Sequence, residues 1–256
     1  MNLLLRIFPI MVLAAIFSCG RPGYQKTLLP QDLPPANPLI RDDYAIEISA
    51  DRVRLTKEYF RIHHAQLHST MPAEDNIDAI RFAPRIVVVH YTVIPTLEKT
   101  VNYFASETID GARELIAANG ALNVGVQFIV DRDGTIYRSY PDDVMSRHTI
   151  GLNHVAIGIE NIGDGDLNDK KASVPLTDAQ VEANVALIQY LANKHPTLAF
   201  VIAHSEYLAL EDPRHPAHNL FHEDKPGYRT DKVDPGKRFM KQLRKGLDRA
   251  AKDGSS

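Results

Sequence analysis

Three apolar runs in this chain end on a side chain that can do chemistry. Arg85-Ile-Val-Val-Val-His90-Tyr-Thr closes on an imidazole, Val155-Ala-Ile-Gly-Ile-Glu160-Asn161 on a carboxylate, and Leu198-Ala-Phe-Val-Ile-Ala203 delivers His204. A fourth candidate, Asp234, stands in Lys232-Val-Asp234-Pro235-Gly236, just ahead of an amphipathic stretch. A buried strand is a rigid support, so an imidazole or carboxylate at its carboxyl end can serve as a metal ligand or a general base. Each residue alone is also compatible with a strand-end side chain bonded to a nearby carbonyl. Their recurrence favours one shared site at one edge of a sheet. Two histidines and a carboxylate, with an open fourth position for water, form the ligand set of a catalytic zinc. The candidates lie far apart in sequence and lack the local spacing of a zinc-protease helix, so spacing by itself does not settle the metal.

The elements that must hold these residues are legible in part. Four β-branched residues, Ile86 to Val89, predict a strand apolar on both faces, which belongs in the middle of a sheet. Thr96 caps a predicted helix carrying Leu97, Val101 and Phe104 on one side. Residues 105–123 read as a loop with a short helix. Phe128-Ile-Val-Asp-Arg-Asp133-Gly134-Thr-Ile-Tyr137 predicts strand, Asp-Gly turn and strand, with Gly134 taking the positive φ of a tight hairpin. Thr177-Asp-Ala-Gln180 is a capping box, and Val181, Val185, Ile188, Leu191 and Ala192 follow at helical spacing until Pro196. Phe239, Met240, Leu243 and Leu247 mark a last amphipathic helix. A helix is also expected from Asp51 to His68. Its His63, His64 and His68 read as packing or surface residues, since no acidic residue accompanies them in a zinc-protease arrangement.

Composition narrows the function classes. A net charge of −3 gives no electrostatic case for nucleic acid, and a single cysteine, Cys19, leaves no intrachain disulfide. Tryptophan is absent, so any carbohydrate contact must use Tyr, His and polar groups. Residues 1–19 read as a targeting segment: Arg6 precedes an uncharged run, Ile7 to Phe17, too short for a bilayer span of about 20 residues. Its end, Ile16-Phe17-Ser18-Cys19-Gly20, resembles the lipobox of bacterial lipoproteins. That resemblance implies acylation of Cys19 and a mature protein outside the cytoplasm. Gly20-Arg21 in place of an aspartate implies, by the same resemblance, the outer membrane facing the periplasm. Residues 20–38 carry Pro22, Pro30, Pro34, Pro35 and Pro38 and predict an extended tether. Residues 39–75 are then an N-terminal helical extension and 76–252 the main domain.

Taken in order, several segments resemble one family. They are Val87-Val-Val-His90-Tyr-Thr, Val126-Gln-Phe-Ile-Val-Asp-Arg-Asp-Gly-Thr-Ile-Tyr137, Arg147-His148, Ile157-Gly-Ile-Glu160-Asn161, Ala203-His204-Ser205 and Lys232-Val-Asp234-Pro-Gly236. This order is similar to that of the type-2 N-acetylmuramoyl-L-alanine amidases, which share a fold with peptidoglycan-recognition proteins. The resemblance implies an α/β fold, with a mixed central β-sheet flanked by helices. It implies one zinc ion held by His90, His204 and Asp234, with Glu160 handling protons and Lys232 stabilising the oxyanion. The implied reaction is hydrolysis of the amide between N-acetylmuramic acid and the L-alanine of the stem peptide, on peptidoglycan or muropeptides, by a monomer. Two positions depart from the family pattern. Val126-Gln127 replaces a frequent Tyr-His pair, which removes a tyrosine-assisted mechanism, and Arg147-His148 replaces a frequent Trp-His pair. His148 is therefore read either as lining a substrate pocket or as structural. His215, His218 and His222, in the long loop before Asp234, match no family motif. The alternative function is a lipoprotein that binds peptidoglycan without cutting it.

Overall fold

The computed structural model describes residues 27–254. Cys19 and the rest of the targeting segment lie outside the described residues. Six strands form one mixed sheet: β1 (Ile40–Arg41), β2 (Ile86–Tyr91), β3 (Phe128–Val130), β4 (Ile136–Arg138), β5 (Ala156–Asn161) and β6 (Phe200–Ala203), in the order β1-β4-β3-β5-β2-β6. β2 lies between parallel β5 and β6, as its uninterrupted β-branched run requires. β3 and β4 are the antiparallel arms of the hairpin, and Gly134 turns it at φ 88°.

Period-2 alternation divides the sheet residues between two cores. Val87, Val89, Ile157, Ile159, Val201 and Ala203 face α5 (Asp178–Lys194) and α6 (Lys237–Gly254), whose Leu187, Ile188, Leu191, Phe239, Met240 and Leu243 complete that layer. Burying each of these aliphatic side chains contributes about 1.5–3 kcal/mol. Ile86, Val88, Ala156, Phe200 and Ile202 face the other way, towards Tyr207, Leu210 and Leu220 on two 3-10 helices, His204–Glu211 and His218–Leu220, and Tyr228 on the following loop. α5 begins as the sequence requires, with Thr177 and Gln180 in the reciprocal capping box, and at the start of α6 the remote Asp166 accepts the Phe239 and Arg238 N–H groups on Oδ1 and Oδ2. Thr96 caps α3 (Leu97–Ala105), and the short helix expected in the following loop is α4 (Glu114–Ala117).

The N-terminal part departs from the sequence reading. The expected helix divides at His64 (φ −148°, ψ 58°) into α1 (Ala50–His63) and α2 (Ala65–His68). α1 does not stand apart as an extension. Arg52 is buried and donates to Tyr140 Oη at 2.7 Å, and the fully buried rings of His63 and Tyr59 stack at 4.1 Å. The Pro-rich stretch, from residue 27 on, also lies against the domain. Leu29 and Leu33 join the core beside α5, and the Leu29 N–H donates to Ala199 O at 2.9 Å. Prolines lock φ, which suits a spacer, but two leucines among them supply apolar surface that the sheet buries.

Burial holds two imidazoles in their neutral forms. It pushes His64 down to about 2 and His154 down to about 4, with the neighbouring His222 adding to both. In the unfolded chain both take up a proton below about pH 6.5, which the folded state resists. Folding stability therefore falls as pH falls below that value. Between pH 4 and 6, His64→Leu should make this fall shallower by about 1.4 kcal/mol per pH unit in urea unfolding of metal-free protein. Parallel slopes for the two proteins would contradict this account.

Candidate metal centre

The alternation that builds the second core also builds the site. His90 continues the series Ile86, Val88; Glu160 continues Ala156, Gly158; His204 continues Phe200, Ile202. All three therefore emerge on the sheet face away from α5 and α6. His90 and Glu160 are direct register partners across β2 and β5. Asp234 arrives from the long loop, and the Ser205 N–H donates to its backbone carbonyl at 3.0 Å, tying it to the end of β6.

Three donor atoms converge. His90 Nδ1 lies 3.0 Å from His204 Nδ1, and Asp234 Oδ2 lies 3.1 Å from His204 Nδ1 and 3.3 Å from His90 Nδ1. An ion with tetrahedral bonds of about 2.0 Å sets its ligands roughly 3.3 Å apart, so this triangle fits a small divalent cation. All three residues are buried, and among the described residues this is the one His/Cys/Asp/Glu group whose donor atoms are gathered so closely. Electrostatics favour the same reading. Burial pushes His204 down to about 4, aided by His90 and opposed by Asp234. Burial opposes ionisation of Asp234, but the His204 and His90 rings beside it outweigh that and hold the carboxyl far below its usual range. A neutral imidazole and an ionised carboxylate are the forms that donate lone pairs to a metal.

The tautomer of His90 is fixed from behind. His148 Nε2 lies 3.3 Å from Ala156 O, an acceptor only, so His148 carries its proton there. Burial and the nearby His90 keep His148 well below the ordinary histidine range, so its Nδ1 is a lone pair. That nitrogen lies 3.1 Å from His90 Nε2, which therefore donates and leaves His90 Nδ1 free to face the centre. The close approach needs Gly158: a methyl there would sit 3.0 Å from His148 Cγ and 2.9 Å from Val126 Cγ1.

A cleft of about 580 Å³ opens over the centre, lined among others by Glu160, Lys232, Arg113 and Val126. Burial raises the Glu160 carboxyl to about 7; Asp234 adds to the rise, while His90, Arg113 and Lys232 oppose it. Burial lowers Lys232, with Asp234 and Glu160 opposing and Arg113 reinforcing. His215, His218 and His222 stay away from the centre. His215 Nδ1 accepts the Ala217 N–H at 3.0 Å, His218 Nδ1 donates to Leu210 O at 2.8 Å, and His222 Nε2 pairs with Asp224 Oδ1 at 2.9 Å.

Several supporting residues carry no sequence signal. Asn161 Nδ2 donates to His90 O at 3.0 Å, and Asn184 of α5 donates to Asn161 Oδ1 at 2.7 Å. Asn153 Oδ1 accepts the His148 N–H at 2.9 Å while its Nδ2 donates to Tyr59 Oη at 3.0 Å, linking α1 to the site. Gln127 is spent on structure, accepting the Gly158 N–H at 2.7 Å and donating to Val144 O at 2.8 Å. Arg147 is likewise spent, on the carbonyls of Ile116, Asn119, Gly120 and Leu122 that shape the cleft wall.

Residues 81–237, more than half of the chain, match the Amidase_2 family model, described as N-acetylmuramoyl-L-alanine amidase. No curated protein matches the chain. Among solved structures it is similar to the N-acetylmuramoyl-L-alanine amidase LysC from Clostridium intestinale URNW, at 25% identity over 54% of this chain and 83% of that one, with a TM-score of 0.36. It is similar to the Drosophila peptidoglycan recognition protein PGRP-SA, at 22% identity over 52% of this chain and 74% of that one, with a TM-score of 0.36. It is also similar to the Ph2119 endolysin from Thermus scotoductus MAT2119 bacteriophage, at 20% identity over 50% and 75%, with a TM-score of 0.35.

If His148 orients His90, then His148→Ala should weaken Zn²⁺ binding by about 10–100-fold while circular dichroism stays unchanged. Gly158→Ala should act in the same direction without removing a titratable group. Competition against a chromophoric chelator measures both, and wild-type affinity in the two variants would remove the positioning role.

Proposed function

Because this chain belongs to the N-acetylmuramoyl-L-alanine amidase family, we propose that it is a zinc-dependent peptidoglycan amidase. On this reading it hydrolyses the amide between the lactyl group of N-acetylmuramic acid and the L-alanine of the stem peptide. The observation that carries the proposal is the meeting of His90 Nδ1, His204 Nδ1 and Asp234 Oδ2 within 3.3 Å of one another, beside the register partner Glu160.

His90, His204 and Asp234 would hold the ion. When bound, zinc supplies a Lewis acid that polarises the amide carbonyl and lowers the pKa of water. Glu160 is the residue that moves protons. A buried carboxyl with a proton affinity near neutrality can accept a proton from the attacking water and return it to the leaving amine. Water adds to the carbonyl carbon, the C–N bond breaks, and the products are a muramic acid carboxylate and a peptide with a free amino terminus. Lys232, half-buried in the lining of the cleft, is the residue that would stabilise the oxyanion of the tetrahedral adduct. His148 acts through His90 as a positioning residue and also lines the cleft. The cleft lies within the range of about 300–1,000 Å³ common for ligand sites and admits a peptide stem.

The alternative, a protein that binds peptidoglycan without cutting it, does not account for a complete metal-ligand set next to a carboxyl of raised proton affinity. We also propose that Cys19 is acylated and anchors the protein to the outer membrane, facing the periplasm, close to its polymeric substrate. Arg6 and the Ile7 to Phe17 run ahead of Ile16-Phe17-Ser18-Cys19-Gly20 support this reading.

Purified protein incubated with sacculi or muropeptides should release stem peptides that begin with L-alanine, as read by mass spectrometry. A chelator should abolish release, and Zn²⁺ should restore it. Binding without release would return the protein to the non-catalytic reading. Glu160→Gln should keep its zinc and fold yet lose about 10²–10⁴-fold in turnover, and Lys232→Ala about 10²–10³-fold. Wild-type turnover in either variant would remove the role assigned to that residue. In cell fractionation, Cys19→Ser should move the protein from the membrane to the soluble periplasmic fraction; membrane retention would count against the anchor.

A further inference from the structure

A second group of imidazoles lies outside the cleft. His64 sits at the break between α1 and α2, His154 follows Asn153 ahead of β5, and His222 comes from the long loop that ends at Asp234. The ring centroids are 4.4 Å apart for His64 and His154, 5.7 Å for His64 and His222, and 6.5 Å for His154 and His222. The shortest of these equals the 4.4 Å between His90 and His204 in the first centre. Two imidazoles on one tetrahedral ion with bonds of about 2.0 Å have centroids roughly 5 Å apart, a value the three spacings bracket.

Three buried nitrogens of this group, on His64 and His154, are unspent. His64 is fully buried, and neither its Nδ1 nor its Nε2 has a hydrogen-bond partner. A neutral imidazole carries one N–H and one lone pair, so both are left without a partner in the core, which is uncommon for buried polar atoms. His154 Nδ1 is buried and unpartnered in the same way. His222 is oriented from outside. Its Nε2 lies 2.9 Å from Asp224 Oδ1, and Asp224 Oδ2 accepts the Ala65 N–H at 2.6 Å, which fastens the loop to the helix break. Nε2–H thus donates to the carboxylate and leaves Nδ1 of His222 as a lone pair. Carboxylate-oriented histidine is a common second layer behind metal ligands.

We propose that His64, His154 and His222 form a second metal site that takes a late first-row dication, such as Zn²⁺, Ni²⁺ or Cu²⁺, on imidazole donors alone. The three nitrogens are less closely gathered than the donors of the first centre, all of which lie within 4.8 Å of one another. Closing the site takes rotation of the His154 and His222 rings towards the fixed His64. His222, whose side chain is 47% exposed, faces solvent on one side and offers the path of entry. A bound ion would satisfy the buried nitrogen of His64. It would also staple together the helix break, the turn before β5 and the long loop, three segments remote in sequence.

The test uses the full chain, stripped with a chelator and then titrated with Zn²⁺ at pH 7.5. Calorimetry and equilibrium dialysis with metal analysis give the stoichiometry. Wild-type protein should take up two equivalents, the weaker of which raises the melting temperature. His222→Ala and His154→Asn, both outside the cleft, should each retain one equivalent and unchanged amidase activity but lose that second rise in melting temperature. His90→Ala should lose the other equivalent and keep the second. A wild-type stoichiometry of one, or a second equivalent that survives both the His222 and the His154 substitution, would overturn the proposal.

Discussion

One carboxylate oxygen and two imidazole nitrogens are held within 3.3 Å of one another inside the protein, and much of the structure serves that crowding. Lone pairs brought together in a buried place repel one another, and taking a carboxylate out of water costs several kcal/mol. A cation at the centre of the triangle reverses the sign of both effects. The side chains cannot relax apart because each is fastened elsewhere: His90 in the central strand, His204 at the end of β6, and Asp234 through the Ser205 N–H.

Support reaches this triangle from both sides of the sheet. From the helical side, Asn184 of α5 holds Asn161, which holds the His90 carbonyl. From the other side, Tyr59 of α1 holds Asn153, which holds His148, which sets the proton on His90. These chains of hydrogen bonds explain why α1 belongs to the domain. They also separate two roles that residue type alone confuses. His90 and His204 present nitrogens to the centre, whereas His148 presents its nitrogen to His90.

The sheet and its polar edge were legible in the sequence because they rest on local patterns. A β-branched run ending in His90, the Asp-Gly hairpin at Gly134 and the Thr177 capping box each announce an element within a few residues. Their recurrence at strand ends pointed to one shared site, and in the structure alternation sets His90, Glu160 and His204 on one face. What stayed hidden depends on contacts between polar residues far apart in the chain, for which one sequence offers no period. Asn161 with Asn184, Asn153 with Tyr59, and His148 with His90 are of this kind. The Pro-rich stretch misled for a different reason. Its prolines report backbone stiffness correctly, but Leu29 and Leu33 decide where the stiff segment lies.

Zinc K-edge X-ray absorption on full-length protein loaded with one equivalent of Zn²⁺ tests the central claim most directly. The account predicts a four-coordinate shell of nitrogen and oxygen at about 2.0 Å, with outer-shell scattering from two imidazoles. A spectrum with three imidazoles or with none would place the tightly held ion away from His90, His204 and Asp234, and would contradict it.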